Sequence, residues 1–179
     1  EIYTLSLHDA LPISADQSAA TGTAVTVVTP EALSADYLER LGRGAFLLPG
    51  ALDVCRHIAE RCRLVLVTNG LREVQRARIG LTPLGQYLSG LVISEEVGTS
   101  KPDPAIFRPT CDALGIHDPG AMLMVGDSLS SDIRAGVNFG MDTSWFNPEH
   151  HKNDSGLVPT YEIDSLAQLA RIVDSVPVS

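Results

Sequence analysis

Residues 64–67, 91–93 and 122–125 form three short runs made only of apolar side chains, with segments of helical spacing around and between them. A strand apolar on both faces must be covered on both sides, as in parallel sheets flanked by helices. Leu52, Cys55, Ala59 and Cys62 share one helical face before the first run. Leu71, Val74, Ala77 and Leu81 do so after it. Ile106, Phe107, Thr110, Cys111 and Leu114 precede the third run, and residues 131–139 follow it as a further helix. Residues 143–146 read as a fourth strand, and Leu166, Leu169, Ala170 and Val173 as the last helix. Strand and helix in alternation predict an α/β fold, a doubly wound parallel sheet.

In such a sheet, ligands bind beyond the carboxyl ends of the strands. Three groups of polar residues fall there. Thr68-Asn69-Gly70 ends the first run. A hydroxyl, free backbone N–H groups and a helix start suit a phosphate, and Gly70 permits close approach. The same tripeptide also serves as an ordinary strand-to-helix turn. Lys101 precedes Pro102, which favours extended geometry. Asp103 can then cap a helix that has Pro104 at its first position. A lysine held this way can neutralise a carboxylate and a phosphoryl group, whereas an arbitrary lysine is a solvated surface charge.

Asp127 and Asp132 belong to Gly126-Asp127-Ser128-Leu129-Ser130-Ser131-Asp132, directly after the third run. Asp127, leaving a strand end, is placed to ligate Mg2+, a hard cation that takes carboxylate and water. Asp132 falls in the first turn of the next helix, where a carboxylate complements the helix dipole. It can equally orient Lys101 or the metal site. Glu95 and Glu96 follow the second strand as rim charges or as part of the approach to Lys101.

Bulk properties narrow the partners. The 179 residues are 44% hydrophobic and carry a formal charge of -9. One domain with a real core is expected. An acidic surface disfavours nucleic acid and anionic membrane. No apolar run approaches the roughly 18 residues needed to span a bilayer. The three cysteines form no Cys-x-x-Cys pair, which reads as a reduced, cytoplasmic protein. Cys55, Cys62 and Cys111 fall on apolar helical faces and are expected in the core. The adjacent His150 and His151 are expected in an exposed loop, and Trp145 and Phe146 at a strand end.

The set of motifs, in this order, resembles the haloacid dehalogenase-type hydrolases. The stretch 91–141 resembles their noncanonical pyrimidine 5'-nucleotidase subgroup. The resemblance covers residues 49–173 and implies an aspartyl-phosphate mechanism with Mg2+ bound. Thr68, Asn69 and Gly70 would hold phosphate, Lys101 would balance charge, Asp127 would ligate Mg2+, and Asp132 would support them. The implied substrate is a small phosphorylated molecule, a nucleoside monophosphate first. A phosphoglycolate or sugar phosphate is the alternative. A dehalogenase is disfavoured by the paired aspartates. A non-catalytic binding protein of the same fold is the reading from another class.

The family's nucleophile pattern, Asp-x-Asp-x-Thr on a central strand, does not occur in these 179 residues. Asp9 is followed at the second position by Leu11 and then by Pro12, so it is rejected. Residues 1–14 resemble a translated sequencing adapter, although residues 2–7 partly alternate as a strand would. Residues 15–48, with helical spacing over 30–44, read as the remnant of a helical cap. Residues 49–179 read as a hydrolase core lacking its first strand. On this reading the chain is an inactive, marginally stable fragment with two unpaired strand edges.

Overall fold

The computed structural model describes residues 2–5 and 47–176. The proposed cap helix over 30–44, together with Asp9, lies outside the described residues.

Six parallel strands form one sheet: β1 (Ile2–Leu5), β2 (Arg63–Thr68), β3 (Gly90–Ile93), β4 (Met122–Gly126), β5 (Asp142–Phe146) and β6 (Tyr161–Ile163). Their order is β3-β2-β1-β4-β5-β6. Helices α1 (Ala51–Ala59), α2 (Arg72–Gly80), α3 (Ser94–Val97), α4 (Arg108–Leu114), α5 (Arg134–Phe139) and α6 (Leu166–Ser175) connect and flank them. The expected doubly wound α/β architecture is present.

Strand alternation divides the core between the two faces of the sheet. Val65, Val67, Met122 and Met124 join Ile106, Phe107 and Ala135 in one buried cluster. Their neighbours Leu64, Leu123 and Val125 turn the other way and join Cys55, Ile58, Leu169 and Val173. Phe107 and Phe139 meet edge to face with centroids 5.3 Å apart, tying the turn before α4 to α5. Among the described residues, no helix is long and apolar enough to cross a membrane.

Four expectations need correction. The first is the gap between β2 and β4. Backbone from Ile2–Leu5 fills it, with Leu5 opposite Leu66 on one side and Val125 on the other. Edges expected to be unpaired are therefore paired along this register. The second is the apolar stripe of α2. Leu71 is 45% exposed and Leu81 62% exposed, because Leu71 precedes the helix in extended geometry and Leu81 follows its end. Val74 and Gln75 are the buried pair there.

The third is the segment 131–139, expected as one helix. It opens as a π turn, Leu129–Ile133, and becomes α-helical at Arg134. The fourth is β6, which the sequence did not announce. It has three residues, of which only Ile163 is buried, too few to show a period of two. Its place comes from pairing with β5 and from the Asn147 N–H, which donates to Ile163 O at 2.7 Å.

Candidate active site

Thr68, Lys101 and Asp127 arrive at the carboxyl edge of the sheet from three directions. Thr68 is the last residue of β2 and is fully buried. Its hydroxyl donates to Asn69 O at 3.3 Å. Asp127 follows the last residue of β4. Its carbonyl accepts from the Trp145 indole N–H at 2.9 Å, so β5 fixes the main chain that carries it. Trp145 packs at a strand end as expected and holds this loop as well.

Lys101 comes from the loop between α3 and the turn Pro104–Phe107. As expected, Asp103 caps that turn through its side chain, accepting from the Ala105 N–H at 2.9 Å. The Lys101 ammonium donates to Val67 O at 2.8 Å and stands 2.8 Å from Asp132 Oδ1. The two side chains are only 2% and 1% exposed. A buried ion pair of this kind persists only when the remaining polar atoms are also satisfied. The second oxygen of Asp132 accepts from the Ser128 N–H at 3.1 Å.

The π turn explains how Asp132 gets there. Ser128 Oγ accepts from the Ser131 N–H at 3.2 Å, and Asp132 answers on the Ser128 N–H. This is the reciprocal logic of a capping box, widened by one residue. The backbone N–H groups of Asp132 and Ile133 both reach Ser128 O, at 2.9 and 3.1 Å. Gly126 completes the arrangement. A methyl group placed there would lie 2.4 Å from Asp132 Cβ, so only glycine lets the carboxylate pack against the strand end.

Asn69 has a structural task that the sequence did not announce. Its amide nitrogen donates to Lys101 O at 3.0 Å, and its oxygen accepts from the Lys101 N–H at 2.9 Å. Both polar atoms of the side chain are committed to the Lys101 main chain. Asn69 therefore positions the lysine, and the second hydrogen of its amide nitrogen lies outside these two bonds. Gly70 adopts φ 148°, a backbone conformation that side chains rarely tolerate. Its N–H donates to Ser94 Oγ at 3.0 Å.

The structure thus brings Asn69, Lys101 and Asp132 into direct contact and sets Thr68, Gly70 and Asp127 on the same edge. Ser94 and Ser128, which the sequence did not single out, hold the two loops. Their signal was faint, because a serine beside a strand end or in a turn is common. Glu95 and Glu96 are expected as rim charges or as part of the approach to Lys101. They line an open cleft of about 370 Å³ with Leu71, Arg72 and Glu73, next to the Thr68-Asn69-Gly70 loop.

Burial pushes the Cys55 thiol up to about 11, and Cys111 is also raised, by burial and then by Asp112. Both are protonated core thiols, as expected. Cys62, only partly buried, lies beyond the end of α1 and packs at the margin of the same cluster. His150 and His151 are exposed. Asn147 anchors their loop by donating to His151 O and Glu162 Oε1 and accepting from the His151 N–H.

A family model described as haloacid dehalogenase-like hydrolase matches residues 9–140. The pyrimidine 5'-nucleotidase YjjG of Escherichia coli is 35% identical over 146 residues, 82% of this chain and 65% of that protein. The pyrimidine 5'-nucleotidase PynA of Streptococcus pneumoniae is 35% identical over 139 residues, 77% of this chain and 57% of that protein. The crystal structure of the putative HAD-hydrolase YfnB of Bacillus subtilis, bound to magnesium, superposes with a TM-score of 0.75 at 32% identity. It covers 80% of this chain and 63% of YfnB. The chain spans less than two thirds of the length of each of these relatives.

Proposed function

Since this chain belongs to the haloacid dehalogenase-like hydrolases, we propose that its sheet edge is the phosphate- and cation-handling part of a Mg2+-dependent phosphomonoesterase. Nucleoside 5'-monophosphates are the substrate class. The observation that carries this reading is the buried Lys101–Asp132 pair, 2.8 Å apart at the carboxyl edge. Burying two charges is costly, and the cost is offset only by close pairing and further hydrogen bonds. Asn69 holds the Lys101 main chain, and the Ser128 N–H donates to Asp132. Two relatives at 35% identity are named as pyrimidine 5'-nucleotidases, which favours the nucleotide over other phosphate esters.

The donor set fits Mg2+ in part. Among the described residues, no group of three or more His, Cys, Asp and Glu side chains could hold a metal ion. Mg2+ does not require one. It is commonly held by one or two carboxylates together with substrate phosphate oxygens and water. Asp127, directly after the last residue of β4, would be the carboxylate for that role, and Asp132 would support the site through Lys101 and Ser128. Such an ion supplies charge neutralisation on the phosphate oxygens. Lys101 adds a fixed positive charge from within the protein. The Thr68 hydroxyl offers a neutral donor, and the cleft beside the loop has room for the alcohol side of the ester.

A second reading is a binding protein on the same fold. It is favoured by one observation: the nucleophile pattern does not occur in the 179 residues.

Calorimetric titration of the 179-residue chain with inorganic phosphate, with and without Mg2+, tests the phosphate site. Saturable binding that needs Mg2+ and is displaced by a pyrimidine monophosphate more readily than by glycerol phosphate is expected. Absence of binding under both conditions overturns the reading. Equal displacement by both esters overturns the nucleotide assignment alone.

A further inference from the structure

We propose that Ser94 and Glu95, from the short helix α3, are positioning residues that fix the loop between β2 and α2 beside the candidate phosphate site. The proposal rests on the phosphate-site reading above. Residue Leu71 enters α2 in extended geometry with no side chain able to cap the helix. The first N–H groups of a helix have no partner within it and need one from elsewhere. Here the partner comes from the neighbouring strand end. Glu95 Oε2 accepts from the Arg72 N–H at 2.6 Å. One residue earlier, Ser94 Oγ accepts from the Gly70 N–H at 3.0 Å and reaches Gly70 O at 3.4 Å. Asn69 is bound to the Lys101 main chain on both sides.

The loop is therefore stitched at three points. Asn69 is held to Lys101, Gly70 to Ser94, and Arg72 to Glu95. Ser94 and Glu95 sit directly after β3, whose last residue, Ile93, pairs with Thr68. The clamp thus fixes the loop relative to the strand that carries the candidate hydroxyl. Glu96 stands apart from it. Its carboxylate pairs with the Arg76 guanidinium at 2.7 and 3.1 Å.

The test compares the full chain with Glu95→Ala, Glu95→Gln, Ser94→Ala and Glu96→Ala. Two quantities are read: phosphate affinity in Mg2+ by calorimetry, and amide hydrogen exchange at Gly70 and Arg72 by NMR. Glu95→Ala is expected to weaken phosphate binding roughly tenfold, the scale of one hydrogen bond to a charged group, and to speed exchange at Arg72. Ser94→Ala speeds exchange at Gly70. Glu95→Gln, which keeps an acceptor oxygen, restores most of the affinity. Glu96→Ala, read by exchange alone, keeps parent-like protection at Gly70 and Arg72 while losing the Arg76 pair.

Parent-like affinity in Glu95→Ala overturns the proposal. So does a loss accompanied by a lower thermal midpoint and faster exchange throughout the sheet, which marks a structural role only. If the parent itself binds no phosphate, the phosphate-site reading falls. Exchange then decides the clamp alone, and unchanged protection at Arg72 in Glu95→Ala sinks it.

Discussion

Lys101 Nζ and Asp132 Oδ1 lie 2.8 Å apart with almost no exposure to solvent, although thirty-one positions separate them in the chain. Each charge is in the protein interior because the other is there. Removing either partner leaves an uncompensated buried charge, at a cost of about 3–5 kcal/mol. Lys101→Met and Asp132→Leu should each lower stability by that amount in urea denaturation. The double variant should recover much of the loss, because a hydrophobic pair of similar volume is often as stable as the ion pair. A double variant no better than the worse single one would show that the two residues do not act as a pair.

Gly126 limits what the strand end can carry. A methyl group at that position would meet Asp132 Cβ at 2.4 Å and Cγ at 2.5 Å. Neither atom is the far end of a flexible side chain, so backbone must shift. Gly126→Ala should cost roughly 1–3 kcal/mol, the usual range for overpacking a filled site. It should also move Asp132 away from Lys101. Urea denaturation reads the first effect, and loss of protection at the Ser128 amide reads the second.

The cysteines give a pH dependence of definite sign. The Cys55 thiol is raised from its ordinary 9.0 to about 11 by burial. Its folded form favours the protonated thiol, so the stability it contributes is complete below pH 9. That contribution is lost as the pH rises from 9 through about 11. Cys111 acts in the same direction. Alkylation by iodoacetamide at pH 8 should therefore be slow for Cys55 in the native chain and fast in denaturant. Rapid native labelling at Cys55 would contradict its burial.

The nucleophile pattern is absent, yet β1 occupies the central place between β2 and β4. The parent chain is expected to release no phosphate from p-nitrophenyl phosphate in Mg2+. Leu7→Asp with Leu11→Thr writes Asp-x-Asp-x-Thr around the existing Asp9. Phosphate release that depends on Mg2+ and disappears with Lys101→Met is the expected outcome. Release by the unmodified chain would show that another group attacks phosphorus.

Much of the core was legible because its cause is local. Residues 64–67 and 122–125 are apolar at every position, and only a strand covered on both faces suits such a run. Asp103 before Pro104 announced a helix start, since cap chemistry needs no distant partner. The stripe through Leu71 and Leu81 misled because helical spacing does not say where a helix stops. β6 was invisible because three residues carry no period.

The site divides along the same line. Residue type and order placed Thr68, Lys101, Asp127 and Asp132 on one edge, because motifs at strand ends are fixed by the strands. The sequence could not say that Asn69 would serve Lys101, that Glu95 would cap α2, or that residues 2–5 would lie between β2 and β4. Those are contacts between segments far apart in the chain. Hydrogen bonds across such distances depend on how the elements pack, and packing is a property of the whole fold rather than of any stretch of sequence.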